Sequence, residues 1–338
     1  MVTYSDSGVD IDIEEIAVHK IASKLKSTLK NRDVITESGH FASLIRLGDK
    51  GIAMSTDGVG SKVLIAELMN KYDTVGIDCI AMVVNDLLCV GAEPIALVDY
   101  LAVENLDPDL ACEIANGLAK GAHISKTAIV GGETASLPDV VNNFDLAATG
   151  IGIVDLDGII TGEAIEDGDI LIGLKSSGIH SNGLSLARKV LLENFKLDDM
   201  VPGTENTVGE ELLRPTEIYV KPIVDLLKTD FNIKGLAHIT GGGFNNLKRL
   251  NENVGFELDN LPQPHPIFKL IHRQNVSLKE MYRVFNMGIG FVVIVSEMEC
   301  EDVLDHLKGY STPYKIGKVN LNRGKIIVNA FNNETVEY

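Results

Sequence analysis

Short apolar runs alternate with stretches of helical spacing along residues 51–154. Runs typical of buried strands lie at 51–54, 95–103, 128–130 and 146–154. Helical spacing occupies 73–90 and 107–125, and the second stretch begins at Asp107-Pro108, where proline suits a first helical turn. Residues 13–29 also have helical spacing, with an apolar face that includes Val18, Ile21 and Leu25. Four strands with helices between them predict an α/β or α+β layer.

A second mixed region follows an acid- and glycine-rich segment at 155–168. Strands are predicted at 169–174, 234–239, 255–258 and 289–295, and helices at 183–195, 216–229, 243–251 and 298–308. A chain of 338 residues exceeds the usual size of one compact core, so two domains are expected. The segment predicts the boundary between them, with domains at 1–160 and 161–338. The second domain is expected to be a mixed sheet with helices.

Composition narrows the classes of partner. The net charge of −18 argues against nucleic acid and anionic membranes as partners. The four cysteines form no C-x-x-C pair and lie in apolar or helical surroundings, which indicates free thiols in a reducing cytoplasm. No signal peptide is expected at the N-terminus, and no apolar stretch approaches the roughly 20 residues that span a bilayer.

The segment at 55–62 has the residues for binding a phosphorylated ligand. Asp57 follows a predicted strand and can hold Mg²⁺, while Gly58 and Gly60 allow backbone to approach a phosphate. Lys62 can neutralise phosphate charge. The P-loop spacing is absent from the chain. An Asp-Gly turn between core strands is the alternative explanation.

Further acids are expected near Asp57. Asp86 follows Asn85 in an otherwise apolar helix, Asp99 lies within a predicted strand, and Glu133 follows the strand 128–130. If the four acids converge, their oxygen ligands predict Mg²⁺, whereas the histidine and cysteine spacing gives no zinc pattern. Exposure of Asp86 on one side of its helix is the competing explanation.

Two glycine-rich loops follow strands in the second half. The loop Ser176-Ser-Gly-Ile-His-Ser-Asn-Gly183 precedes a helix, so amides and hydroxyls at a helix N-terminus predict an anion site; an elaborate N-cap is the alternative. The loop His238-Ile-Thr-Gly-Gly-Gly-Phe244 suggests close backbone approach to a ligand or another strand. His180 and His238 are candidates for acid–base work or for structural hydrogen bonds.

Taken in order, the motifs resemble one family over essentially the whole chain. They are Asp57-Gly-Val-Gly-Ser-Lys62, Asn85-Asp-Leu87, Gly91-Ala-Glu-Pro94, Gly131-Gly-Glu-Thr134, the two loops above, and Met281-Tyr-Arg-Val-Phe-Asn-Met-Gly-Ile-Gly290. The chain resembles the phosphoribosylformylglycinamidine cyclo-ligases, also called aminoimidazole ribonucleotide synthetases.

The resemblance implies ATP, Mg²⁺ and a ribonucleotide substrate, with ring closure of formylglycinamidine ribonucleotide to aminoimidazole ribonucleotide, ADP and phosphate. It also implies a homodimer in which two four-stranded N-terminal sheets form one eight-stranded barrel. Matching positions give ATP contacts at Asp57, Gly58, Gly60, Ser61, Lys62, Asn85, Asp86, Gly132 and Glu133. They give ribonucleotide contacts at Ser177, Gly178, His180, Ser181, Asn182, Gly183, Thr240, Gly241, Gly242, Arg283 and Asn286. Candidate Mg²⁺ ligands are Asp57, Asp86, Asp99 and Glu133, and candidate catalytic residues are Lys62, His180 and His238.

The chain departs from the family pattern at two places. Ser38-Gly-His-Phe-Ala42 stands where a glycine-rich nucleotide lid is common, and Ser136 stands where the family commonly has glutamate.

Selenophosphate synthetases need a reactive cysteine near their start, and no cysteine here precedes Cys79. The hydrogenase-maturation relative needs a C-terminal cysteine, and this chain ends in Tyr338. Thiamine-monophosphate kinases are not expected to have residues 281–290 in this form. A nucleotide-binding regulator without catalysis is the alternative of a different class.

Overall fold

A computed structural model of the protein describes residues 2–36 and 39–338. The N-terminal sheet has strands β1 (Ser43–Leu47), β2 (Lys50–Gly58), β3 (Glu93–Val103), β4 (Ala128–Ser136) and β5 (Phe144–Asp155). Their order is β1-β2-β5-β3-β4, and every neighbouring pair is antiparallel except β3 and β4. A helical layer covers one face of this sheet.

That layer consists mainly of two closely packed helices. The N-terminal helices are α1 (Ile11–Leu25), α2 (Val63–Met69), α3 (Val75–Leu88) and α4 (Pro108–Ser125). Asp107 caps α4 by accepting a hydrogen bond from the amide of Asp109. A Cβ added to Gly76 would lie 2.2 Å from the backbone nitrogen of Leu118, so α3 and α4 touch backbone to backbone. Glycine at position 76 therefore permits the close approach of the two helices.

The C-terminal sheet has strands β6 (Ile170–Lys175), β7 (Gly235–His238), β8 (Gly255–Leu258), β9 (Ile289–Val295), β10 (Pro313–Asn320), β11 (Ile326–Asn329) and β12 (Thr335–Glu337). Their order is β12-β11-β8-β10-β6-β9-β7. Only β8 and β11 pair in parallel among these strands. The helices are α5 (Leu184–Leu192), α6 (Val208–Leu213), α7 (Val220–Leu227), α8 (Pro266–His272), α9 (Leu278–Val284) and α10 (Cys300–Leu307).

This architecture is the expected two-domain mixed α/β fold, with differences in detail. The N-terminal sheet has five strands rather than four, because the segment 43–47 forms β1 by pairing with β2. The strand predicted at 128–130 continues to Ser136 through parallel pairing with β3, so Glu133 lies inside the strand and not after it. Residues predicted as a helix at 243–251 form a 3₁₀ helix over Gly243–Arg249. The boundaries 1–160 and 161–338 stay a prediction.

The deepest core lies along β9, all of whose residues are buried, and along α3, where only Asp86 retains some exposed surface. By contrast, the apolar face of α1 is exposed at Val18, Ile21 and Leu25. Among the described helices, none combines the length and the apolar content needed to cross a membrane.

Candidate functional site

The site is built around the polar residues of α3. Asp78 and Asn85 are buried without exposed surface, and Asp86 is largely buried beside them. Buried polar groups are costly unless they have hydrogen-bond partners. Apart from Lys62, the partners described below come from the C-terminal half, so α3 is the element that joins the two halves of the molecule.

Asp86 and His238 make the central contact between the halves. Asp86 Oδ1 lies 2.9 Å from His238 Nδ1, at the end of β7. The Asn85 side chain lies 3.4 Å from His238 Nε2, and it also accepts from the Tyr219 amide and donates to the Glu217 carbonyl, both at 2.9 Å. With Nδ1 donating to the carboxylate, Nε2 is the acceptor for Asn85. The imidazole is therefore held in one orientation.

Asp57 forms an acidic pair with Asp86. It lies on the same side of β2 as the buried residues Ala53 and Ser55, facing the helical layer. Burial, and next the nearby carboxylate of Asp86, raise the pKa of Asp57 to about 6. The Gly58 amide, which donates to Asp57 Oδ1 at 2.7 Å, acts in the opposite direction. Two neighbouring carboxylates, one near the end of β2 and one near the end of α3, form a site suited to a cation.

The expected convergence of four acids is not what the structure has. Asp99 lies over Gly132, where an added Cβ would be 2.3 Å from Asp99 Oδ1. Burial raises the pKa of Asp99. Glu133 is exposed on the edge strand β4. Within residues 2–36 and 39–338, no three His, Cys, Asp or Glu side chains lie close enough to hold a metal ion. Only Asp57 and Asp86 are brought together, because the pairing of β4 directs Glu133 away from α3.

The ammonium of Lys62 is directed inward and not toward solvent. Lys62 is fully buried, and its Nζ donates to Asp78 Oδ1 at 2.8 Å and to the Arg214 carbonyl. Burial lowers the pKa of Lys62, and Asp78 opposes this effect. Contact between Lys62 and a phosphate would require this pairing to change, so its predicted role as a phosphate ligand and catalytic residue stays a prediction. The neighbouring Gly60 has φ +67° and open space around it.

His180 shapes the loop 176–183 from within. Its Nε2 accepts hydrogen bonds from the amides of Ser177 at 3.1 Å and Glu217 at 3.4 Å, so the ring hydrogen is on Nδ1. That Nδ1 is buried and has no partner among the described residues. Burial, then the nearby His238 and Lys62, keep the pKa of His180 well below its usual range. The ring is therefore a neutral hydrogen-bond donor.

Asn286 clamps the same loop. Its Nδ2 donates to the carbonyls of Gly178 and Ile179, at 2.9 and 3.0 Å, and its Oδ1 accepts from Ser176 Oγ at 3.0 Å and the Gly288 amide at 2.8 Å. These four bonds occupy both polar atoms of the side chain, so Asn286 holds the loop in this structure, and its predicted contact with substrate stays a prediction. Sequence patterns showed the asparagine but not its partners.

The other polar residues of this loop hold it to its surroundings. Ser177 Oγ donates to the Pro215 carbonyl at 2.6 Å, and Ser181 Oγ donates to Asp78 Oδ1 at 3.1 Å. Gly183 has φ +80° and begins α5. An added Cβ on Gly241 would lie 3.0 Å from Asn182 Oδ1, so the loops 176–183 and 238–244 touch.

The glycines of the loop 238–244 are required by close packing. Gly242 and Gly243 have φ +94° and +55°, and a Cβ on Gly243 would lie 2.2 Å from the Tyr282 carbonyl oxygen. Asn246 closes the loop by accepting from the Thr240 amide at 2.8 Å and donating to the Gly241 carbonyl at 3.1 Å. Arg283 lies half-buried on α9. Sequence reasoning missed Asn246, although its position just after three glycines was a usable signal.

His40, Phe41 and Arg249 border the acidic pair and were not predicted. The Arg249 guanidinium lies 5.1 Å above the Phe41 ring. Burial lowers the pKa of His40 to about 4, with Arg249 acting in the same direction and Asp86 in the opposite one. In the predicted lid segment, residues 37 and 38 lie outside the described residues. Asp78 was also missed, although a lone acid two turns before Asn85 in an apolar helix was a signal.

Comparisons with protein families match both halves of the chain. Residues 39–154 match the family model "AIR synthase related protein, N-terminal domain", and residues 166–329 match "AIR synthase related protein, C-terminal domain". The chain is 65% identical to the phosphoribosylformylglycinamidine cyclo-ligase of Methanobrevibacter smithii and 59% identical to that of Methanothermobacter thermautotrophicus, with full coverage of all chains. It is 50% identical to the Pyrococcus furiosus cyclo-ligase, over 97% of this chain and 98% of that one.

Solved structures of lower identity share the fold. Hydrogenase maturation protein HypE in complex with ATP superposes with a TM-score of 0.65 at 19% identity, covering 87% of this chain and 86% of that one. AaThiL complexed with AMPPCP and TMP superposes with a TM-score of 0.65 at 16% identity, covering 94% and 93%. T. maritima PurL complexed with FGAR gives 0.65 at 17% identity, covering 93% of this chain and 49% of that chain.

Proposed function

The chain belongs to the phosphoribosylformylglycinamidine cyclo-ligase family, and on that premise we propose that it closes the imidazole ring of aminoimidazole ribonucleotide. Formylglycinamidine ribonucleotide and ATP are the substrates, and ADP and phosphate are the other products. One observation from the structure supports this proposal most directly. Asp86 and His238 come from different halves of the chain and meet at 2.9 Å beside Asp57, so the halves form one site.

The chemistry requires a poor leaving group to become a good one. The formamide oxygen attacks the γ-phosphorus of ATP, and ADP leaves. The amidine-side nitrogen then attacks the formyl carbon, the C–O bond breaks to release phosphate, and the nitrogen loses its proton. Orientation of two anionic substrates and neutralisation of their charge are therefore the main tasks of the protein.

Asp57 and Asp86 are the proposed holders of Mg²⁺. Mg²⁺ in nucleotide sites commonly binds one or two carboxylates and completes its shell with water and substrate phosphates, so two acids suffice. When bound, the ion neutralises phosphate charge. Asp99 and Glu133 are less suited, since the described residues contain no larger ligand group. ATP use is further supported by the shared fold of the ATP-bound HypE structure.

The loops 176–183 and 238–244 are proposed to bind the ribonucleotide. His180 offers a buried Nδ1–H without a partner, which suits an acceptor oxygen of the substrate. The Nε2 of this ring already accepts two amide hydrogens, so His180 binds and orients rather than transferring protons. His238 is the better-oriented candidate for moving a proton, because Asp86 holds its Nδ1; its Nε2 becomes available when the 3.4 Å contact with Asn85 opens.

Substrate-dependent ADP release tests the proposed function. We expect ADP to appear only when ATP, Mg²⁺ and formylglycinamidine ribonucleotide are all present, whereas a regulator gives no substrate-dependent ADP. Asp57→Asn should abolish this release. Asp155→Asn is the matched control, since Asp155 is an exposed acid on β5 paired with Lys50. Product formation with an unchanged Mg²⁺ requirement in Asp57→Asn would contradict the assignment.

A cytoplasmic homodimer is part of the same proposal. The N-terminal sheet exposes apolar side chains on adjacent strands, including Tyr100, Val130 (68% exposed) and Ile151. Such a patch is typical of an association surface. A second copy covering it would form the barrel that the family resemblance implies, with the domain boundary near residue 160. Sedimentation of the purified protein tests this, and a monomer at micromolar concentration would refute it.

A further inference from the structure

Asp78 on α3 is a buried carboxylate outside the chemistry described above. It has no exposed surface, and one oxygen, Oδ1, accepts four hydrogen bonds. The donors are Lys62 Nζ at 2.8 Å, Ser181 Oγ at 3.1 Å, the Thr216 amide at 2.7 Å and Thr216 Oγ1 at 2.6 Å. These donors come from three separate segments of the chain, so a single atom holds three segments together.

Two of the three segments are the proposed ligand loops. Lys62 ends the segment 57–62, whose residues 57–61 are proposed to contact ATP while Lys62 stays on Asp78. Ser181 belongs to the loop 176–183, which is proposed to contact the ribonucleotide. A second link joins the same regions, because Ser185 Oγ donates to Ser61 Oγ at 2.9 Å. The third segment is also tied to the first, since Lys62 donates to the Arg214 carbonyl. The two loops therefore share one rigid connection.

The shared acceptor makes the positions of the loops depend on each other. All four donors meet Oδ1, since Oδ2 has no partner among the described residues. If either loop shifts, Oδ1 loses a donor and the other oxygen has no bond to compensate, which is costly for a buried charge. A ligand that holds one loop in position therefore also restrains the other. The second ligand then meets a loop that is already in position, so it binds more tightly.

We propose that Asp78 is a positioning residue that couples the two ligand loops, so that ATP and the ribonucleotide bind with positive cooperativity. This proposal rests on the proposed function, which supplies the two ligands. By linkage, each ligand tightens the binding of the other by the same factor.

Titration calorimetry on the full chain measures this factor. The probe is the nonhydrolysable ATP analogue AMPPCP with Mg²⁺, titrated with and without saturating formylglycinamidine ribonucleotide. We expect the ribonucleotide to lower the Kd of the analogue at least about fivefold in the wild type. In Asp78→Asn, the factor should fall below about two, because the carboxylate that serves both loops is lost.

Asp169→Asn is the matched control. Asp169 forms another buried ion pair, with Lys234 at 2.7 Å, and its side chain is as inaccessible as that of Asp78. It contacts neither ligand loop, so the coupling factor should stay at the wild-type value. If a general loss of a buried ion pair caused the effect, both variants would lose coupling equally, and that result would overturn the proposal.

Thr216→Val covers the case in which Asp78→Asn does not fold. Valine has nearly the same shape and removes one of the four donors while keeping the backbone amide, so an intermediate coupling factor is expected. A folded Asp78→Asn or Thr216→Val protein with the full wild-type factor contradicts the proposal, as does a wild type that binds both ligands independently. A wild type that binds neither ligand refutes the proposed function itself, and the coupling with it.

Discussion

Replacing Asn286 with leucine removes the clamp on the loop 176–183 while keeping a side chain of similar size. Asn286 is 3% exposed and makes four hydrogen bonds of 2.8–3.0 Å. At about 0.5–1.5 kcal/mol each, their loss should lower the free energy of unfolding by about 2–6 kcal/mol. Because the loop carbonyls lose their donors, we also expect weaker ribonucleotide binding, and a smaller loss of AMPPCP affinity, since the change reaches the ATP segment only through Asp78.

Urea denaturation followed by circular dichroism measures the stability change, and calorimetry measures the two affinities. Asn260→Leu is the matched control, since Asn260 is exposed and its side chain makes one hydrogen bond, to the Lys315 carbonyl at 2.8 Å. Its change in unfolding free energy should stay below about 0.5 kcal/mol. If Asn286→Leu lowers stability by less than about 1 kcal/mol, or leaves ribonucleotide affinity at the wild-type value, the clamp interpretation is wrong.

Three further predictions follow from the electrostatics and the exposed sheet. The pKa of Asp57 is about 6 in the folded protein against an ordinary value of 3.8. The ionised carboxylate therefore opposes folding once the pH exceeds the ordinary value, and the penalty is complete above pH 6. Asp57→Asn should therefore stabilise the ligand-free protein by about 2–3 kcal/mol at pH 7.5, and thermal melts should show this gain fading as the pH falls from 6 to 4. An equal gain in melting temperature at pH 7.5 and at pH 4 would contradict the prediction. Nitrogen NMR should show His180 neutral with its hydrogen on Nδ1 from pH 8 down to pH 5, and a titration in that range would exclude the assignment. Val130→Glu should shift sedimentation toward monomer, while the exposed Leu321→Glu should not.

Much of the fold was predictable because apolar periodicity reports local structure directly. The elements α3, α4, α5, β8 and β9 were predicted within a few residues, since each has a clear apolar pattern and distinct ends. The strand β1 was missed, because a five-residue segment gives only a weak local signal and forms a strand here by pairing with β2. Extension of β4 through two glycines depends in the same way on its partner β3.

The candidate residues were predictable by type but not by partner. Glycine-rich loops after strands and acids in apolar helices are visible in the sequence, and they indicated Asp57, Asp86 and His238. Lys62 was expected to face a phosphate, but the folded chain directs it to Asp78. Which polar groups pair across two domains depends on contacts between residues more than a hundred positions apart, and no local pattern encodes them.

The sequence by itself determined the family, the two mixed α/β domains and the residue types available for nucleotide chemistry. These follow from local periodicity and ordered motifs, which need no knowledge of packing. The tertiary structure alone decided which groups meet. It paired Asp57 with Asp86, left Glu133 on an exposed edge, fixed the tautomer of His180, and joined both loops at Asp78. The physical reason is burial: once α3 is enclosed between the halves, its polar side chains are costly without partners, and only the packed chain brings those partners to them.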